Sequence, residues 1–232
     1  MTTEEKKRAA AEAAAELVAD GMSIGLGSGS TAHEFVRALG RRVASGLSIR
    51  AVASSTSTAD LAKQCGIPLI QLNGPLDLAV DGADAVASTT LDAVKGLGGA
   101  LMRERIVVEQ AACFVLIVDD AKVVEDLGQA LTQVPVPVAV VPFGWQTTRE
   151  RLSRFGDPKL RTTSDGAPYA TDDGNFILDL HAPHLPPDLL AAQLKALTGV
   201  VDHGLFLGLA SLALVGADGG VLELRRAGDS SR

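Results

Sequence analysis

The stretch 81–105, DGADAVASTTLDAVKGLGGALMRER, gathers residue types that could move a proton beside a developing negative charge. Asp81 and Asp84 are three residues apart, and Lys95 opens a loop containing Gly96, Gly98 and Gly99. Glu104 falls in the first turn of the helix that the following pattern predicts. A glycine loop entering a helix offers backbone N–H groups to an anion, and a lysine reinforces that field. Carboxylates alongside supply groups for proton transfer. The same residues also read as turn glycines followed by an amphipathic helix with solvated charges, so the stretches around them have to decide.

Residues 22–26 form a short apolar strand candidate, followed by Ser28, Gly29, Ser30 and Thr31 and then a helix carrying Ala32, Phe35, Val36 and Leu39 at helical spacing. Thr31 and Glu34 match a capping box. A strand, a small-residue loop and a helix start is an arrangement that holds phosphate on backbone N–H groups and hydroxyls. Gly25, Gly27 and Gly29 are spaced by two, Ser30 stands where a dinucleotide fingerprint needs glycine, and no Walker lysine follows. The loop therefore reads as a monophosphate cradle, with a plain turn as the other reading. Apolar runs at 49–53, 67–71, 76–80 and 113–120 alternate with helix candidates at 57–64, closed by Gly66, and at 100–111. That alternation predicts an α/β fold, a mostly parallel sheet with helices on both faces. Ligands bind beyond the carboxyl ends of such strands. The 28–31 loop, Asp81 and Lys122 all fall at these ends. Residues 4–19 predict a helix capped by Gly21, and Lys6, Lys7 and Arg8 in its first turns oppose the helix dipole. A role for one of them stands beside a solvated basic face.

The texture changes near residue 131, where prolines appear. A helix candidate at 146–155, strands at 160–163 and 175–180, and a helix at 187–197 predict a smaller α+β domain inserted at 131–206. The first domain is then formed by 1–130 and 207–232, where apolar strand character resumes around a tight turn at Asp218, Gly219 and Gly220; the GDSSR tail reads as frayed. His33, His181, His184 and His203 share no metal-ligand spacing, and His181 and His184 sit beside Pro183 and Pro186 in an exposed loop. Trp145 and Tyr169 read as packing residues. Cys65 and Cys113 read as buried free thiols, consistent with a reducing compartment. A net charge of -7 argues against nucleic acid as partner. No apolar run reaches the ~18 to 20 residues that span a bilayer, and the Ala-rich, mixed-charge start lacks a signal-peptide core. These observations point to a cytoplasmic enzyme or sensor with no membrane partner.

Taken in order, GLGSGSTA, LAVDGADA, KGLGGALMRERIV, VLIVDDAK, VVPFGW, TDDGNFILD and GVVDHGLF resemble ribose-5-phosphate isomerase of the A type over essentially the whole chain. The resemblance implies a Rossmann-like catalytic domain and interconversion of D-ribose 5-phosphate and D-ribulose 5-phosphate through an enediol(ate), a non-oxidative pentose phosphate step needing no metal or organic cofactor. It implies a cytoplasmic homodimer or homotetramer. By the same resemblance Glu104 is the base that carries the proton between C2 and C1. Lys95 and the N–H groups of Gly96, Leu97 and Gly98 form the oxyanion site. Asp81 moves hydroxyl protons and helps ring opening, and Asp84 orients the sugar or Lys95. Gly82, Ala83 and Lys122 also contact the sugar, while Lys7, Ser28, Gly29, Ser30 and Thr31 hold the phosphate. The chain departs from the family pattern at Ser28, a usual threonine; Ala85, a usual glutamate; Leu97, a usual glycine; and Ala139, a usual glutamate. The alternatives are a non-catalytic sugar-phosphate sensor, or an isomerase or deaminase acting on another sugar phosphate.

Overall fold

The computed structural model describes residues 1–182 and 185–226; Pro183, His184 and the GDSSR tail lie outside the described residues. Helix α1 (Thr3–Glu16) starts on a reciprocal capping box between Thr2 and Glu5. It ends at Glu16 with Leu17 as its cap, so the expected Gly21 cap is wrong: Gly21 lies in the turn before the first strand and donates to the Ser48 carbonyl. Strand β1 (Ser23–Leu26) leads into α2 (Ser30–Ala44), then β2 (Arg50–Ala53), α3 (Thr56–Gln64) and β3 (Leu76–Asp81). The 67–71 run forms no strand, only an isolated bridge from Leu69 to Ala51. The Thr31–Glu34 capping box is also absent. Gly29 is the N-cap of α2 without a side-chain cap, and Glu34 instead pairs with Arg37.

Next come β4 (Ala85–Ala87), β5 (Ala93–Val94), α4 (Leu101–Glu109), β6 (Ala111–Asp119), a 3-10 turn at Asp120–Lys122, β7 (Val123–Val124) and α5 (Leu127–Ala130). The chain continues through β8 (Val136–Val140), α6 (Trp145–Leu152), β9 (Asp157–Leu160), β10 (Phe176–His181), α7 (Pro187–Lys195), β11 (Val200–His203), β12 (Leu205–Phe206), β13 (Leu212–Ala217) and β14 (Gly220–Arg225).

The central sheet has the order β14-β13-β6-β3-β1-β2 and is parallel except for the β13–β14 hairpin. Its inner strands are largely buried on both faces, as parallel strands must be when helices cover each side, while the antiparallel edge strand β14 is largely exposed. Ile24, Leu26, Val80 and Ile117 pack under α1 and α2, while the alternate residues Ala79, Leu116 and Val118 face α4 through Val107 and Val108. Alanines at 10, 11, 14 and 15 let α1 lie close to the sheet. A second, antiparallel sheet, β11-β8-β10-β9, is covered by α5, α6 and α7. A third, β12-β5-β4-β7, is built from strands of two or three residues and was not anticipated from the sequence. Cys65 and Cys113 are free but only partly buried, and His181 is partly buried at the end of β10, which corrects the expected burial of the first two and exposure of the third.

Gly40 lets α2 meet the end of α3, because a Cβ there would sit 2.6 Å from the Cys65 Cβ and 3.0 Å from its carbonyl oxygen. Replacing a helical glycine with alanine ordinarily gains ~0.5–1 kcal/mol. At this position the clash reverses the sign, and Gly40→Ala should lose about 1–3 kcal/mol in urea unfolding with kcat unchanged.

Candidate active site

Asp81 ends β3, and its Oδ1 accepts from the Ser28 N–H at 3.0 Å and the Gly82 N–H at 2.7 Å. Gly27 has to be bare for this approach, since a Cβ there would lie 2.1 Å from the Asp81 carboxylate. The strand ends of β1 and β3 are thereby locked together. Beyond them Gly29, at φ +94°, turns the chain into α2, whose first N–H groups are the natural acceptor-seeking end of a helix. The Ser28 hydroxyl lies 2.8 Å from both Ser54 and Ser55, and Thr58 completes this buried hydroxyl cluster by donating to the Gly27 carbonyl. The SSTST run at 54–58 follows β2 at the same sheet edge and is the sequence signal for this cluster.

Lys95 follows β5. Its Nζ is 2.8 Å from Asp81 Oδ2, 3.3 Å from Glu104 Oε2 and 2.6 Å from the Gly82 carbonyl, to which it donates. All three ionisable side chains are at most 3% exposed. Glu104 reaches this point from the first turn of α4. Arg103 and Arg105 on either side anchor that helix: Arg103 pairs with Asp172 and Asp173, and Arg105 pairs with Asp202 at 2.8 Å and donates to the His203 and Leu205 carbonyls. Phe206 lies beneath both cations, 5.4 Å from Lys95 Nζ and 4.2 Å from the Arg105 guanidinium carbon.

A cavity of about 160 Å³ opens over these groups. It is lined by Lys7, Ser28, Gly29, Ser30, Thr31, Gly82, Ala83, Asp84, Lys95, Gly96, Gly98, Glu104, Val118, Asp119 and Lys122. The structure thus brings together almost every residue expected there, and adds Val118 and Asp119 from the end of β6. Asp81 and Leu97 are the exceptions. Asp81 lies behind the lining, covered by the groups it binds. Leu97 turns its side chain outward, 41% exposed, and its N–H is already taken by Asp84 Oδ2 at 3.0 Å. A side chain is tolerated at 97 because the left-handed positions of the loop are Gly96 and Gly99. Lys7 is held by Glu4 at 2.9 Å, whereas Lys6 is spent on Asp120 and Asp218 and Arg8 is 3.8 Å from Glu34.

Burial raises the Glu104 pKa, the Asp81 charge adds to it, and Lys95 opposes both; the result is a carboxyl pushed up to about 8. Burial likewise pushes Asp81 and Asp84 upward, against the pull of Lys95 on the first and of the Leu97 N–H on the second. For Lys95 burial acts downward but is outweighed by Asp81 and Glu104, so the ammonium is held charged. The site joins an uncapped helix start, a fixed buried cation, the Gly98 N–H and a buried carboxyl of raised pKa, a set of groups that can meet an anion and exchange a proton.

The family model for ribose 5-phosphate isomerase A (phosphoriboisomerase A) matches residues 50–220. The chain belongs to this family. Ribose-5-phosphate isomerase A of Gluconobacter oxydans is 46% identical over 220 residues, covering 93% of this chain and 94% of that one. The Roseiflexus castenholzii protein of the same name is 48% identical over 224 residues, with 94% of each covered. Among solved structures, ribose 5-phosphate isomerase A from Methanocaldococcus jannaschii superposes with a TM-score of 0.92 at 37% identity, over 97% of this chain and all of that one. A D-ribose-5-phosphate isomerase in complex with phospho-erythronic acid matches with the same score, identity and coverage.

A raised carboxyl pKa is a cost to the fold. Below the ordinary value of 4.5 Glu104 is protonated in both folded and unfolded chains and contributes nothing. Between there and about 8 the unfolded chain ionises first, so the destabilisation grows with pH and is complete above the folded value. Glu104→Gln should therefore raise Tm at pH 8, with the gain vanishing as the pH falls to 4.5. Equal melting temperatures at both pH values would show that Glu104 is not perturbed by its burial.

Proposed function

We propose that this chain interconverts D-ribose 5-phosphate and D-ribulose 5-phosphate, with Glu104 carrying the proton between C2 and C1. The family supports the substrate and reaction. The observation that carries the role of Glu104 is its position: buried, raised in pKa, 3.3 Å from Lys95 and facing a cavity whose far wall is an anion cradle.

Phosphate bound at Ser28, Gly29, Ser30 and Thr31, with Lys7 at the rim, fixes one end of the open-chain sugar and brings its other end to Glu104. Glu104 takes the C2 proton, the C–H electron pair becomes the C1=C2 bond, and charge moves onto the carbonyl oxygen. Lys95 and the N–H of Gly98 stabilise that oxygen; one such donor is typically worth ~10² to 10³ in rate. The O2 hydroxyl proton passes to O1, the charge settles on O2, and Glu104 returns its proton to C1 as C2 becomes the ketone. Nothing is gained or lost in the sequence, so one carboxyl group suffices. Asp84, which lines the cavity, handles the sugar hydroxyls and ring opening together with Lys122. Asp81, which does not line it, holds Lys95 and raises Glu104. Phospho-erythronic acid, found bound to a structural relative, suits such a site because its planar carboxylate resembles the enediolate.

The cytoplasm is the proposed location. Its coarser support is that no helix among the described residues is long and apolar enough to cross a membrane. A homodimer or homotetramer is the proposed assembly. Phe143, 94% exposed beside Val141 after β8, supports an apolar contact on that side.

In heavy water, Glu104→Gln should lose isomerisation by about 10² to 10⁴ and lose label incorporation at C1 in parallel. Exchange at near wild-type rate, read by NMR, would take the proton-carrying role away from Glu104.

A further inference from the structure

We propose that Arg161, held by Asp179, is a positioning residue that turns the Gly98 N–H into the cavity as an oxyanion donor. The inference rests on the proposed role of the 95–99 loop.

Arg161 follows β9 in the second sheet, far in sequence from the loop it grips. Its Nη1 donates to the Leu97 carbonyl at 2.8 Å and to the Gly96 carbonyl at 3.2 Å. Its Nε donates to Asp179 Oδ2 at 2.9 Å, and Nη2 donates to the other carboxylate oxygen. This fork fixes the guanidinium plane, which a lysine cannot do. The Tyr169 ring, 5.9 Å from the guanidinium carbon, packs beside Arg161 against the loop where Gly99 leaves room; a Cβ at Gly99 would meet its hydroxyl at 2.3 Å. The loop is thus held at two points by one neighbouring segment.

Peptide geometry converts that grip into chemistry. There are no cis peptide bonds among the described residues, and in a trans peptide the C=O and N–H point in opposite directions. Drawing the Gly96 carbonyl toward Arg161 sends the Leu97 N–H the other way, where Asp84 accepts it. Drawing the Leu97 carbonyl toward Arg161 likewise sends the Gly98 N–H away from Arg161. Gly98 lines the cavity, and no acceptor takes its N–H among the described residues. The same two peptides are polarised by the guanidinium charge, which strengthens both N–H donors. Arg161 itself does not line the cavity. Its effect on catalysis has to pass through the loop.

The experiment compares wild type with Arg161→Ala and Arg161→Lys. It measures kcat and KM for ribose 5-phosphate, and inhibition by phospho-erythronic acid and by erythritol 4-phosphate, which has an uncharged end in place of the carboxylate. Arg161→Ala should lower kcat by about 10- to 100-fold with KM within about twofold. Inhibition by the acid should weaken by a similar factor, and inhibition by erythritol 4-phosphate should not change. Arg161→Lys should fall between, because an ammonium keeps the charge but lacks the planar fork that grips both Asp179 oxygens while Nη1 reaches the two carbonyls. Wild-type kcat and wild-type discrimination in Arg161→Ala would overturn the role of Arg161 and leave the loop reading standing. If that variant fails to fold, the same result in Arg161→Lys overturns it. A wild-type enzyme that binds the acid no more tightly than erythritol 4-phosphate would overturn the loop reading and the role of Arg161 together.

Discussion

Lys95 is the cation within ion-pair distance of both Asp81 and Glu104, and all three groups are cut off from solvent. Two carboxylates facing one ammonium leave an excess of negative charge in a medium that tolerates it poorly. The arrangement relieves that excess at the group farther from the cation, by raising the proton affinity of Glu104. The ammonium must then be kept from moving. Its Nζ is tied to the Gly82 carbonyl and its backbone N–H to the Gly204 carbonyl, with Phe206 beneath. Gly204 has no room for a side chain, since a Cβ would lie 2.1 Å from the Lys95 carbonyl oxygen. The central sheet through Asp81, the small third sheet through Lys95 and helix α4 through Glu104 each contribute one group to this charge balance.

The site divides into a front and a back. In front, the start of α2, Asp84, Gly98, Lys7 and Lys122 face the cavity. Behind it, Asp81 and the hydroxyls of Ser54, Ser55 and Thr58, which meet Ser28 at the cavity wall, lock the strand ends, while Arg103 and Arg105 hold α4 from two sides. Groups at the back cost little flexibility at the front. They allow a buried carboxyl to be raised in pKa without the helix that carries it shifting outward to reach water.

Much of the front was legible because its parts are local. A glycine and hydroxyl loop between a strand and a helix, two aspartates after another strand, and a lysine before a glycine turn each announce themselves within a few residues, and parallel-sheet topology places them on one edge. What could not be read depends on distant partners. Arg161 is an ordinary surface-type residue until β9 delivers it to Gly96 and Leu97, and Arg105 becomes structural only through Asp202. The third sheet escaped because two-residue strands have no periodicity to detect. At the start of α2 the spacing of Thr31 and Glu34 suggests a side-chain cap, but Gly29 makes the turn and no side chain caps those N–H groups. Leu97 puts a side chain where glycine was expected, and its outward rotation becomes evident only once Arg161 and Asp84 fix the peptides on either side of it.

The coupling between Asp81 and Glu104 through Lys95 is tested most directly by the pH dependence of kcat/KM in Asp81→Asn beside wild type. Removing the Asp81 charge takes away a repulsion and leaves Lys95 to Glu104 alone, so both changes lower the Glu104 pKa. The expected result is an acidic limb moved to lower pH, together with a reduced plateau. A limb that stays in place, or moves to higher pH, would contradict a site organised around one cation shared by two carboxylates.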